Sequence, residues 1–307
     1  MIRLAKVLVL AFMTPVAAMT AADENGTTTR PLEVVIIPAD GGTEEGTKAD
    51  FEPVFKAVSR TAGLTFVLRV GQSYNAVVEA MCNRSADIAF FGPIAYVQAR
   101  ERGCAELLAV AVENGKSNYY AGIFTHADSL IKSVGDLKGK SVAFGDINSA
   151  SSFVFPMAMI LDAKLDPIRD LAAIRLTGSH ANSLGALTQR QVDAAGLSFD
   201  SFEKAVNQGA VNAKDIRVVA RSVAIPNPPL GMSTKLPKEL KEKLKVAFGS
   251  IAKAPGVTPD MIRGYGGKKV EGYNSNFAEN EFNVPAAMME TISDRLRGEV
   301  LKKASNP

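Results

Sequence analysis

Residues 64–112 read LTFVLRVGQSYNAVVEAMCNRSADIAFFGPIAYVQARERGCAELLAVAV, and this stretch carries the fold in miniature. The β-branched, apolar run over 64–70 predicts a strand. A helix follows from near Tyr74, with Val77, Val78 and Met81 falling on one face at helical spacing. Residues 88–91 predict a short buried strand, broken by Gly92-Pro93. A further helix reaches Gly103, and the apolar run 107–112 predicts another strand. Strand and helix alternate, which predicts parallel strands joined by right-handed crossovers.

The same alternation extends in both directions. Upstream, 32–37 is a strand closed by Pro38, and 48–62 a helix with Phe51, Val54, Phe55 and Val58 at i, i+3, i+4 and i+7. Gly63 stands where a left-handed helix cap is expected. Downstream, the apolar run 119–125 reads as a first passage between two lobes, and a polar turn over 133–140 feeds a strand at 141–144. Helix 151–161, strand 172–176, helix 181–188, strand 194–197 and strand 216–220 complete a second lobe. The chain then returns near 222–226, and helices near 238–251 and 284–295 are expected to pack back on the first lobe. The fold class is α/β.

Residues 1–22 have a basic start (Arg3, Lys6), an apolar core and small residues around Ala17, Ala18, Ala21 and Ala22, the layout of a secretory leader. Cleavage is expected after Ala22, or else after Ala18. The first cysteine is Cys82, so no lipoprotein anchor is expected at the cleavage zone. Without Arg3 and Lys6 the formal charge of +3 becomes about +1, too balanced for a nucleic-acid partner. The remaining length of about 285 residues suits two lobes with separate cores. In an oxidising compartment Cys82 and Cys104 are candidates for a disulfide; two buried thiols, or a metal site lacking further ligands nearby, are the other readings.

Several segments, in order, carry a family likeness: Phe51-Glu52-Pro53-Val54-Phe55, the run from Tyr74 to Met81, Asp87 to Pro93 with Tyr96-Val97, and Ser133 to Lys140. Ala143-Phe144-Gly145-Asp146, Gly178-Ser179-His180, Gln191-Val192-Asp193-Ala194 and Ile225-Pro226-Asn227 continue it. Together they resemble the phosphonate/phosphite/phosphate-binding subunits of ABC importers (PhnD-type), from Leu32 to the mid-270s. The resemblance implies a type II periplasmic-binding-protein fold, two α/β lobes joined by two crossover segments. Lobe 1 would comprise 23–119 plus 225–307, and lobe 2 would comprise 120–224.

The segment Gly145-Asp146-Ile147-Asn148-Ser149-Ala150-Ser151-Ser152 lies between a strand and a helix. Such a turn aims backbone N–H and hydroxyl groups at one point, where the helix dipole also favours an anion. Helix capping by Ser149 or Ser151 would explain the same residues without a ligand. The resemblance favours ligand binding by Ser149, Ala150, Ser151 and Ser152, although Ala150 stands where relatives usually have Thr and Ser152 where they have Gly. It likewise assigns His180 to donate to a phosphonyl oxygen and Tyr74 to the cleft from lobe 1; a surface histidine and a core tyrosine are the plain alternatives. Asp200 falls where aminoalkylphosphonate binders place a carboxylate, or else caps a helix. A carboxylate there favours a ligand carrying its own proton or cation.

Two departures point away from an amine-bearing ligand. Pro228 stands where many relatives have an Asp that, in the aminoalkylphosphonate binders, pairs with the amine, and Phe91, counted with the ligand-facing residues, replaces a tyrosine found in some members. The expectation is therefore a periplasmic subunit, monomeric and without cofactor, that captures phosphite, phosphate or methylphosphonate by lobe closure about crossovers near Tyr120 and Ala224. Its partner would be an ABC permease. The alternative is a sensor subunit signalling to a histidine kinase, with arsenite suited to a cleft expected to lack Lys and Arg. A hydrolase is the remote alternative: neither Gly-x-Ser-x-Gly nor His-Glu-x-x-His occurs, so no enzyme is expected.

Overall fold

The computed structural model describes residues 25–38 and 43–305, so the expected leader at 1–22 lies outside the described residues. The strands, in chain order, are β1 (Leu32–Ile36), β2 (Phe66–Val70), β3 (Ile88–Phe90), β4 (Ala105–Val112), β5 (Asn118–Tyr119), β6 (Ala121–His126), β7 (Ser141–Phe144), β8 (Ala173–Leu176), β9 (Ala194–Ser198), β10 (Ile216–Arg221), β11 (Ile225–Pro226), β12 (Pro229–Ser233) and β13 (Gly272–Asn274). The helices are α1 (Glu44–Ala62), α2 (Tyr74–Cys82), α3 (Pro93–Glu101), α4 (Phe155–Asp162), α5 (His180–Thr188), α6 (Phe199–Asn207), α7 (Lys238–Ser250), α8 (Asn283–Glu290) and α9 (Asp294–Ser305).

Helix α1 shows how local chemistry sets these elements. Thr43 accepts the Gly46 N–H at its start, and Gly63 ends it at φ 63°, donating to the Ser59 carbonyl. Its apolar face buries Phe51, Val54, Phe55 and Val58. The Phe55 ring meets Phe66 and Phe248 edge-on at 5.2 and 5.7 Å. Burying each such side chain contributes about 1.5–3 kcal/mol.

One sheet runs β13-β4-β12-β3-β1-β2 and another β10-β6-β9-β7-β8. Both are mixed, which corrects the expectation of parallel strands throughout. Pairs β1–β2, β1–β3, β7–β8 and β7–β9 are parallel. Strands β12 and β6 pair antiparallel with their neighbours. The reason is connectivity. A parallel pair needs a crossover of a dozen residues or more, and β6 and β12 follow β5 and β11 with no helix between.

The chain leaves the first sheet after β4 and returns to it at β12, and between the sheets β5 and β11 pair as an antiparallel ribbon. Ser222 fastens the two passages further: its N–H donates to Ala121 O and its Oγ accepts from the Ala121 N–H, both at 2.9 Å. The Arg221 guanidinium lies 3.8 Å over the Tyr120 ring.

The first sheet and α1, α2, α3 and α7 share a core around Phe51, Phe90 and Phe248. Cys82, the last residue of α2, is joined by a disulfide to Cys104, just before β4. Helix α7 and, through Ala286 and Met289, α8 pack against the first core as expected, but the last helix departs from the expected return to the first lobe. Ile292 and Val300 are buried with Phe153, Phe155 and Leu171 of the second sheet's core. Lys303 donates to the Ile168 and Leu171 carbonyls at 2.6 Å. Helix α9 thus lies on the second sheet, because its buried face and its lysine both find their partners there.

Candidate functional site

Strands β8, β7 and β9 are neighbours and parallel, and each ends in a serine-capped turn into a helix. Ser149 Oγ accepts the Ser152 N–H at 3.2 Å, where a five-residue π-helical turn (Ala150–Val154) leads into α4. Ser179 Oγ accepts the Asn182 N–H at the start of α5, and Ser198 Oγ accepts the Ser201 N–H at the start of α6, each at 3.1 Å. Three helical N-termini therefore stand side by side at the carboxyl edge of one parallel sheet, where their dipoles favour an anion.

The approach is close because residue 145 is glycine. A Cβ there would lie 2.4 Å from Ser152 Oγ and 3.3 Å from the Ser179 carbonyl carbon. Ser152 is fully buried, and its Oγ is the one buried side-chain polar atom without a hydrogen-bond partner among the described residues. A hydroxyl so placed costs free energy unless something accepts its proton. The neighbouring Ser151 is committed to the buried Tyr119 hydroxyl, whose pKa burial pushes up.

His180 is 1% exposed, and its Nδ1 accepts the Ser198 N–H at 3.1 Å. That bond fixes the tautomer: in the uncharged ring the proton sits on Nε2. The ring meets Tyr265 edge-on at 6.1 Å, so His180 faces the first sheet's side of the cleft.

The two sheets are bridged at several points. The Tyr74 N–H donates to Asp146 Oδ2 at 3.3 Å, and Gln98 Nε2 to Asn148 Oδ1 at 3.0 Å. Lys204 and Asp50 approach to 3.5 Å. Lys268 Nζ sits 2.6 Å from Glu113 and 3.1 Å from Asp200. Partial burial works against the Lys268 charge, but the two carboxylates outweigh it and hold its pKa above the ordinary value. Asp50, Asp200, Lys204, Tyr265 and Lys268 are among the residues lining a cavity of about 390 Å³ between the sheets.

The expected site residues separate into groups. Ser149, Ala150, Ser151, Ser152 and His180 come together on the second sheet. Tyr74 is 2% exposed, with its ring packed over Gly92; it reaches the second sheet through its backbone N–H. Phe91 is fully buried in the first sheet's core, against Gly231 and 6.0 Å from the Tyr96 ring. Asp200 is not a cap, since Ser198 takes that role in α6. Lys204 and Lys268 line this cavity between the sheets, against the expectation of a cleft without Lys or Arg; Ser149, Ala150, Ser151, Ser152 and His180 are not among its lining residues.

The family model described as "ABC transporter, phosphonate, periplasmic substrate-binding protein" matches residues 34–266. The chain belongs to this family. It is a periplasmic substrate-binding subunit of an ABC transporter, not an enzyme, and its partners are a small ligand and a permease. It is 28% identical to the phosphate-import protein PhnD of Mycolicibacterium smegmatis, over 72% of each chain. It is 24% identical to the phosphonates-binding periplasmic protein of Escherichia coli, over 69% of this chain and 64% of that one. A binding protein component of an ABC phosphonate transporter from Pseudomonas aeruginosa shares the fold, with a TM-score of 0.75 at 20% identity, covering 90% of this chain and 96% of that one. The architecture is thus the type II periplasmic-binding-protein fold.

In this substrate-binding protein Asp146 is the bridging group with the most distinctive pH behaviour. Burial pushes its carboxyl pKa above 3.8, against the pull of the Asn148 and Tyr74 N–H groups and Arg297. A raised carboxyl pKa stabilises the folded arrangement below the unfolded value, and that contribution is lost as pH rises through the folded value. The difference in Tm between wild type and Asp146→Asn should therefore move against wild type as pH rises from about 4, the ordinary carboxyl value, toward neutrality. Thermal unfolding across that range checks it; a difference that moves toward wild type as pH rises contradicts the assignment.

Proposed function

We propose that this substrate-binding protein captures a small phosphorus oxyanion without an amine (phosphite, phosphate or methylphosphonate) for import. The observation that supports this reading best is the buried Ser152 hydroxyl, without a partner among the described residues, beside three convergent helical N-termini. His180, with its proton on Nε2, adds a side-chain donor from the same sheet edge. The ligand is held by neutral donors and dipoles from the second lobe and covered by the first, with the β5–β11 ribbon as hinge.

Calorimetric titration with phosphite, phosphate, methylphosphonate, sulfate and arsenite tests the ligand class. Heat from none of the three phosphorus anions, or tighter binding of sulfate or arsenite, would refute it. Ser152→Ala tests the placement. It should weaken binding about tenfold, the scale of one hydrogen bond to a charged group. The ligand-free protein should not lose stability, because removing an unpaired buried hydroxyl relieves about 1 kcal/mol. An affinity unchanged by Ser152→Ala would place the ligand elsewhere.

A further inference from the structure

We propose that Lys268 is a counter-cation built into the cleft, tethered where a ligand's own ammonium would otherwise sit, and that it sets the preference for ligands without an amine. The inference deepens the reading above and rests on it for the identity of the anion.

The carboxylates come from both sides. Glu113 follows β4 on the first sheet and Asp200 lies in the first turn of α6 on the second. Their oxygens are 2.6 and 3.1 Å from the one Lys268 ammonium. Left without that ammonium, two carboxylates facing the cleft would repel a phosphorus oxyanion unless the ligand brought a cation of its own.

Lys268 is also presented rigidly. Gly264 N–H donates to Lys268 O at 2.8 Å, and Arg263 and Lys269 bridge as an antiparallel pair, closing a tight turn. Gly266 and Gly267 take φ of 63° and 74°, and a Cβ at Gly267 would lie 2.3 Å from Asp50 Oδ1. The turn is therefore pressed onto α1, and the lysine stem projects from a fixed base.

Space points the same way. Glu113, Asp200, Asn227, Pro228, Tyr265 and Lys268 line a residual cavity of about 20 Å³. Beside Glu113 and Pro228 there is room for about one water, whereas the cavity of about 390 Å³ that Asp200 and Lys268 also line opens toward Asp50 and Lys204. Truncating Lys268 at Cβ removes four heavy atoms, enough to admit the three of an aminoethyl group.

The test is calorimetric titration of the full protein with methylphosphonate and 2-aminoethylphosphonate. Wild type should bind the first and give no heat with the second. In Lys268→Ala the ratio of the two affinities should move about a hundredfold toward the aminoalkyl ligand, the scale of a close charge pair. Lys268→Met fills the space without the charge, so it should weaken methylphosphonate binding and gain no aminoalkyl binding. Equal loss of both ligands in Lys268→Ala, or wild-type binding of the two with similar affinity, would overturn the proposal. Ethylammonium chloride is the anion-independent probe: it should raise the Tm of Lys268→Ala and not of wild type. If it does so while no phosphorus anion binds any variant, the oxyanion reading falls and the cation site stands. If it stabilises neither, the cation site falls.

Discussion

His180→Asn should lower affinity for phosphite about 10- to 100-fold while leaving the Tm of the ligand-free protein close to wild type. The asymmetry comes from the two ring nitrogens. Nδ1 accepts the Ser198 N–H, and an asparagine Oδ1 can take over that bond. What Asn cannot replace is the donor at Nε2, and a hydrogen bond to a charged group contributes about 1.5–3 kcal/mol. His180→Gln reverses the pattern. It keeps a donor near the Nε2 position and deprives the buried Ser198 N–H of its acceptor, at a cost of about 1–3 kcal/mol in stability. Titration and thermal unfolding of both variants read the two effects separately. If His180→Asn bound phosphite as wild type does, the ring would belong to the scaffold and not to the ligand.

Removing the disulfide should give the opposite signature. Cys82 and Cys104 close a loop of 22 residues, and the loss of such a cross-link costs about 3 kcal/mol through the unfolded chain's regained freedom. At roughly 2–4 °C per kcal/mol for a protein of this size, Cys82→Ala with Cys104→Ala should lower the Tm by about 6–12 °C. Affinity should change less than about twofold, because the bond lies at the far end of α2, about 13 Å from the Tyr74 end that meets the second sheet. Calorimetry on oxidised, reduced and substituted protein checks both halves. A large loss of affinity would mean that the bond also positions the cleft.

The elements were legible where period and punctuation agree. The run 74–82, with valines and a methionine at helical spacing, could be nothing else, and Gly63 and Gly92-Pro93 mark real boundaries. The serine turn at 149–152 was legible because its chemistry is local. What escaped is what depends on distant partners. Lys268 meets Asp200 across 68 positions of sequence, and neither residue announces the other. The run Gly264-Tyr265-Gly266-Gly267-Lys268 is the one local hint: a glycine-rich turn that ends in a charge. Phe91 stands where some relatives carry a tyrosine, which points it to the ligand, but its ring packs on Gly231, which arrives only with β12. The segment that forms α9, expected with the rest of 225–307 on the first lobe, covers the second core for the same reason, since an amphipathic segment does not say which core it covers.

That last helix has a practical consequence. The described chain opens on the first sheet, with β1, and closes on the second, with α9. Its two ends therefore ride on opposite sides of the cleft. Fluorophores attached near Thr28 and near Ser305 would convert a bending of the ribbon into a change of distance, so the molecule already has the wiring of an optical gauge for its own ligand.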